Sequence, residues 1–236
     1  MTNLVLIIGG TSGIGFATAK YLKDLGYKVI IAGRRKIELQ SEISFEVDVC
    51  DEQSITLLKE KIENQYGKIN ALVYSAGKTL PKKSILNFEK EQWQEMLSVN
   101  VTGLILCLKA FYPHLVDTNG RVAIISSVAA RSYSRFSSFE YTASKAAIGG
   151  IVRQLSQEWA KDKILINSVF PSTTRTKMLE GVLKPEALES LASSSPLGEI
   201  ADPSDTARAV EFLISRKNKY TTGSGIDVSG GAFLNA

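Results

Sequence analysis

Leu4-Val5-Leu6-Ile7-Ile8-Gly9-Gly10-Thr11-Ser12-Gly13-Ile14-Gly15 stands near the start of the chain, and its reading decides the fold. Five consecutive apolar residues predict a strand buried on both faces. The pattern Ala17, Ala19, Tyr21, Leu22, Leu25, stopped by Gly26, predicts a helix directly after the glycines. Backbone amides at such a helix start can hold a pyrophosphate, and glycines let the phosphates approach. Gly9, Thr11, Ser12, Gly13, Ile14 and Gly15 are therefore the candidate contacts. A P-loop would need Lys and Ser/Thr after Gly15, where Phe16-Ala17 stand. A nucleophile elbow through Ser12 would need glycine in place of Ile14. A glycine-rich turn with no ligand is the remaining alternative.

Working outward, Lys28–Ala32 reads as the second strand, and Gly33-Arg34-Arg35 follows it. An acid at that place would bind ribose hydroxyls and repel a 2′-phosphate, whereas a guanidinium pairs with the phosphate through two hydrogen bonds. Arg34 and Arg35 thus favour NADPH over NADH, against the plainer reading of solvated loop arginines. A short segment, Lys36–Glu42, leads to a third strand, Ile43–Val47. Asp51 is placed to cap a helix that runs to Gly67. Leu72–Tyr74 reads as a fourth strand, and Asn87 or Ser84 as the start of a long apolar helix through Asn100 and Leu108. Val122–Ile125, Ile164–Val169 and Ile226–Val228 complete seven strands, with a lid at Pro171–Pro196 and a helix capped by Asp202. Regular α–β alternation with short connections predicts a single α/β domain spanning 1–236, a Rossmann-like, doubly wound, parallel seven-stranded sheet with helices on both faces.

Composition is consistent with that outline. The 236 residues are 44% apolar, enough for a sizeable core, which excludes global disorder. A net charge of +4, with no basic run interleaved with aromatics, argues against a nucleic-acid surface. Cys50 and Cys107 lack metal-ligand spacing and read as buried thiols of a reducing compartment. The Asn3–Ile8 stretch reads as a strand with no positively charged leader before it, so a cytoplasmic protein is expected. No uninterrupted apolar run approaches the roughly 18 residues of a membrane span. The only histidine, His114 beside Pro113, reads as a helix-end residue because no nucleophile or metal ligand accompanies it.

Tyr141-Thr142-Ala143-Ser144-Lys145 carries the chemistry. On a helix, Tyr141 and Lys145 share a face. An ammonium beside a phenol favours the phenolate, lowering the pKa from about 10 towards the range of a working proton donor or acceptor. Alone, Tyr-x-x-x-Lys also occurs on ordinary amphipathic helices.

With these stretches in order, the sequence resembles the short-chain dehydrogenase/reductase family over essentially its whole length. Gly9, Gly13 and Gly15 match the family's glycine motif, and Asp48-Val49 its adenine contact. Tyr74-Ser75-Ala76-Gly77 resembles its Asn-Asn-Ala-Gly loop. Asn100, Ser127, Tyr141 and Lys145 match its catalytic set, and Pro171, Thr174 and Thr176 lie in a stretch resembling its nicotinamide loop. Ile8, Tyr74, Ser75 and Ser172 depart from the usual residues, so side-chain bonding in those loops is in question. The resemblance implies reversible hydride transfer between NADP(H) and a carbonyl or secondary alcohol. Tyr141 would be general acid/base, Ser127 would orient the substrate oxygen, Lys145 would bind the nicotinamide ribose, and Asn100 would hold a proton-relay water. A dinucleotide-sensing protein without turnover is the alternative.

Lys78, Lys82, Lys83, Arg131 and Arg135 fall where the pocket mouth is expected and suggest an anionic substrate. Tyr133, Phe136 and Phe139 add aromatic surface. The 3-oxoacyl-carrier-protein reductases are the nearest subgroup. Their docking positions fall near Thr118 and Asp162, with Arg121, Lys161 and Lys163 adjacent. The resemblance also implies a homotetramer built through the long helices, consistent with the apolar run Leu104–Leu108.

Overall fold

The computed structural model describes residues 3–35, 43–176, 179 and 185–234. The segment Lys36–Glu42 and part of the expected lid (177–178 and 180–184) lie outside the described residues. The elements are β1 (Leu4–Ile8), α1 (Gly13–Asp24), β2 (Lys28–Gly33), β3 (Ile43–Glu46), α2 (Glu52–Tyr66), β4 (Ala71–Tyr74), α3 (Lys90–Leu97), α4 (Gly103–Thr118), β5 (Arg121–Ile125), α5 (Phe139–Glu158), β6 (Leu165–Pro171), α6 (Pro185–Ser194), α7 (Pro203–Ile214) and β7 (Gly225–Val228).

All seven strands are parallel, in the order β3-β2-β1-β4-β5-β6-β7. The chain winds outward from β1 to β3, then returns to β1's other side at β4. This creates a switch point where β1 and β4 diverge, the place where open α/β sheets bind ligands. Both sheet faces are covered, which explains why β1 is apolar at every position. Leu4, Leu6 and Ile8 point to the face packed by α2, α4 and α5. Val5 and Ile7 point to the opposite face, under α1 and α7.

Capping follows the local sequence. Asp51 accepts from Gln53 N at 2.9 Å and opens α2, while Asp202 and Asp205 form a reciprocal capping box on α7. The expected start of the long helix needs correction. Ser84 caps only a 3-10 turn at Ile85–Asn87, and the chain becomes extended at Phe88 before α3 begins at Lys90. Between α3 and α4 the helix widens to a π turn over Ser98–Thr102, centred on Asn100. Such turns cluster at functional sites.

Cys107 is buried, as expected, but Cys50 is exposed. The alternation after β3 turns Val49 inward and Cys50 out. His114 is buried within α4, where it accepts from Ile69 N at 3.4 Å. Burial lowers its pKa against the opposing pull of Glu63, so it is a structural side chain. Lys90–Thr118 is, among the described residues, the one stretch of helix long and apolar enough to cross a membrane by length and composition. Its Leu104, Cys107, Leu108, Phe111 and Leu115 are packed into the core.

Candidate active site

The turn after β1 is built by close approach. Gly9 sits at φ +81°, and a Cβ there would lie 2.4 Å from Ala76 N, so the turn closes directly on the loop leaving β4. A Cβ on Gly15 would lie 2.3 Å from Gly9 O. Gly13 differs: a Cβ there would meet only Thr176 Cγ2, at 3.5 Å. Ser12 precedes α1 in extended conformation and makes no side-chain cap bond, and no acid occupies the first turn. The leading amides of α1, at Gly13, Ile14 and Gly15, therefore face outward with the positive end of the helix dipole, a fit for a pyrophosphate.

The other expected dinucleotide contacts border this turn. Thr11 packs against Gly33, whose added Cβ would lie 3.0 Å from its side chain, and Arg34 and Arg35 project exposed just beyond. Asp48 is exposed and its Oδ1 accepts from Cys50 N at 2.9 Å, while Val49 is buried against Gly103. Ser75 N donates to Ile8 O at 2.8 Å, carrying the Ser75-Ala76-Gly77 loop past the glycine turn. Pro171 ends β6, Thr174 Oγ1 donates to Ser172 O at 3.0 Å, and Thr176 reaches Gly13. The departure at Tyr74 has a packing reason. Its side chain turns into the core and donates to Val99 O at 2.7 Å, bracing the π turn.

The four proposed catalytic side chains converge beyond the carboxyl ends of β4 and β5. Lys145 Nζ donates to Ile125 O at 2.9 Å and lies 5.8 Å from the centre of the Tyr141 ring. A Cβ added to Gly77 would lie 3.4 Å from Lys145 Nζ and 3.6 Å from Asn100 Oδ1, which places the loop beside both. Ser127 Oγ accepts from Ala129 N at 3.1 Å, and its hydroxyl is near enough to Tyr141 to favour the phenolate. Asn100 is wholly buried. Its Oδ1 accepts from Lys78 N at 2.7 Å, and its Nδ2 donates to Lys78 O at 3.0 Å and Ser144 Oγ at 2.8 Å. Ser144, which sequence reasoning passed over, donates in turn to Tyr141 O at 2.8 Å. Its only signal was its place inside the Tyr-to-Lys interval.

The electrostatics correct the expected tuning of Tyr141. Burial raises its pKa, and the Ser127 hydroxyl only partly opposes this. Lys145 is not among the causes. Its own ammonium is pushed down to about 8 by burial. Desolvation dominates for both side chains, and the ammonium is directed to the Ile125 carbonyl.

The basic mouth also differs from expectation. Lys78 pairs with Glu95, Lys83 with Glu140, and Arg131 with Asp227 at 2.7 Å while stacking on Phe170. Lys82 and Arg135 are the exposed members of the set. Arg121 is buried at the opposite end of the sheet, where its guanidinium donates to the carbonyls of Asn218, Asn119 and Gly120. Asp162 accepts from Tyr112 OH at 2.7 Å. Both are structural.

A phenol, a serine hydroxyl, a buried lysine and an asparagine stand together beside a turn shaped to take a dinucleotide, a candidate site for oxidoreductase chemistry. A family model described as "Enoyl-(Acyl carrier protein) reductase" matches residues 9–232, and the chain belongs to the short-chain dehydrogenase/reductase family. It is 30% identical to a 3alpha-hydroxysteroid dehydrogenase of Mediterraneibacter gnavus, over 97% of this chain and 96% of that protein. It is 31% identical to the 3-oxoacyl-[acyl-carrier-protein] reductase FabG of Thermotoga maritima, over 97% of each. Among solved structures, ElxO with NADP bound superposes with a TM-score of 0.90 at 26% identity, over 98% of each chain.

Proposed function

We propose that this protein is an NADP(H)-dependent oxidoreductase that moves hydride between the nicotinamide and a carbonyl or secondary alcohol, with Tyr141 as general acid/base. The convergence of Ser127, Tyr141, Lys145 and Asn100 beside the open start of α1 carries this reading. The nicotinamide supplies the hydride chemistry. The Gly13, Ile14 and Gly15 amides would hold the pyrophosphate, Asp48 and Val49 would flank the adenine, and Ser75, Ala76, Gly77, Pro171, Thr174 and Thr176 would line the nicotinamide end.

Ser127 and Tyr141 form a pair of fixed donors for the substrate oxygen, and their value comes from placement in a dry pocket. Tyr141 gives its proton to the developing alkoxide. Its raised pKa keeps the phenol protonated at neutral pH, the form that carbonyl reduction requires. Lys145, pushed down to about 8, is close enough to neutrality to exchange a proton and to bind ribose hydroxyls. Asn100 ties the loop after β4 to the Tyr141 helix through Lys78 and Ser144.

Arg34 and Arg35, exposed and without an acid beside them in sequence, support the phosphorylated dinucleotide, as does the likeness to NADP-bound ElxO. The pairing of Lys78, Lys83 and Arg131 leaves little free charge for an anionic substrate, so we favour an uncharged carbonyl at the reacting end. For assembly we propose a homotetramer, supported by the half-exposed Ile105 on α4; light scattering giving a monomer mass would contradict it. The catalytic reading is tested by NADPH oxidation over a broad panel of ketones, hydroxysteroid precursors, sugar-derived carbonyls and 3-oxoacyl thioesters. Turnover of at least one class with NADPH preferred over NADH is expected. Tight NADPH binding with no turnover on any class would leave only a dinucleotide-binding protein.

A further inference from the structure

Glu140 stands immediately before Tyr141 in the first turn of α5, and its side chain has no exposure to solvent. A carboxylate is buried at high cost unless it is paired and hydrogen-bonded. Its partner comes from a distant segment. Lys83 Nζ, in the loop after β4, lies 3.1 Å from Glu140 Oε1 and also donates to Gln92 Oε1 on α3 at 2.9 Å. The two loops are joined around this pair. Lys82 N donates to Phe136 O at 2.7 Å and Ser138 N to Leu80 O at 2.9 Å, and Pro81 and Ser137 form an antiparallel bridge.

Burial pushes the Glu140 carboxyl up, but the neighbouring Ser138 hydroxyl, its own backbone amide and the Lys83 ammonium 3.1 Å away outweigh it and hold the group below the usual carboxylate range. The carboxylate is therefore ionised at neutral pH and matches the ammonium. Ser138, at the N-cap of α5, makes no side-chain cap bond, so the ion pair ties down a first turn that lacks a cap. An uncapped first turn frays, and Tyr141 is its third residue. Neither the dinucleotide cleft nor hydride transfer needs a buried ion pair at this place.

Resting on the reductase reading of Tyr141, we propose that Glu140 and Lys83 are positioning residues. They form a buried ionic latch that fixes the first turn of α5, and with it the Tyr141 phenol, to the loop walling the substrate mouth. Phe88 and Phe139, with ring centres 6.1 Å apart, close the same seam on its apolar side. The latch also predicts a substrate-side effect. A loosened loop holds the substrate oxygen less well against the Ser127–Tyr141 donor pair, while the pyrophosphate turn on the far side of β4 is untouched.

The test compares Lys83→Met, Glu140→Gln and the double variant in the full-length protein. Lys83→Met strands a buried carboxylate, so a lower melting temperature and a loss in kcat of about ten-fold or more are expected, with NADPH affinity unchanged. In the double variant the stranded charge is gone, so the melting temperature recovers and kcat does not. Recovery of kcat together with melting temperature would overturn the positioning role, as would wild-type kcat in Lys83→Met. Hydrogen exchange of the Leu80, Lys82 and Lys83 amides and of the 136–142 amides reads the latch without turnover. Faster exchange in Lys83→Met is expected, and unchanged exchange rejects the latch even where no substrate is found. A wild-type protein inactive on every carbonyl, with exchange that does respond, rejects the reductase reading alone.

Discussion

Replacing Lys145 by Met should make the cofactor-free protein more stable while abolishing its chemistry. Burial takes the Lys145 ammonium from 10.5 down to about 8. The unfolded chain keeps that proton to near 10.5, so between the two values the unfolded state binds more protons and wild-type stability rises with pH. Below pH 8 the full penalty applies, about 3 kcal/mol at about 1.4 kcal/mol per unit. Methionine removes that penalty with a similar apolar stem, but loses the 2.9 Å bond to the Ile125 carbonyl. Losing that bond offsets about 1 kcal/mol. The variant should therefore be about 2 kcal/mol more stable at pH 7. Near pH 9.5 the wild-type penalty falls to roughly 1 kcal/mol, so the gap should nearly close. Urea unfolding followed by circular dichroism at both pH values measures it. A variant less stable than wild type at pH 7, or a gap that does not change with pH, would refute the account of a buried charge held at energetic cost for function.

Two further substitutions probe the dinucleotide cleft. Arg34→Ala should weaken NADPH binding by about ten-fold or more and leave NADH nearly unchanged, measured by fluorescence titration; an unaltered ratio would remove the 2′-phosphate role. Gly9→Ala combines φ +81° with a 2.4 Å approach to Ala76 N and should cost about 3 kcal/mol of stability in urea unfolding. Gly13→Ala meets only Thr176 at 3.5 Å and should cost about 1 kcal/mol while still obstructing the pyrophosphate.

Much of this architecture could be read from the chain because strands buried on both faces leave a plain signal. The apolar run Leu4–Ile8 and the glycines after it fix the switch point, and the caps at Asp51 and Asp202 mark their helices. The proposed catalytic side chains were legible as a set through the resemblance to the family's motifs, whereas spacing alone linked only Tyr141 and Lys145. Partnership across the chain was not. Nothing local in Lys78, Lys83 or Arg131 shows that Glu95, Glu140 and Asp227 neutralise them. The start of α3 was misplaced because Ser84 resembles a helix cap, yet Phe88 adopts an extended conformation and delays the helix to Lys90. The π turn at Asn100 leaves the apolar spacing nearly intact, so periodicity alone does not reveal it. The direction of the Tyr141 shift was missed for a related reason. Spacing gives a shared helix face, whereas the outcome depends on how deeply the pair is buried and where the ammonium points.

Tyr141→Phe removes a single oxygen from the proposed proton donor and leaves the dinucleotide cleft intact. Single-turnover NADPH oxidation should be slowed by about 10² to 10⁴, with NADPH bound as in wild type. Hydride transfer at the wild-type rate in that variant would contradict the assignment of Tyr141 as the proton donor.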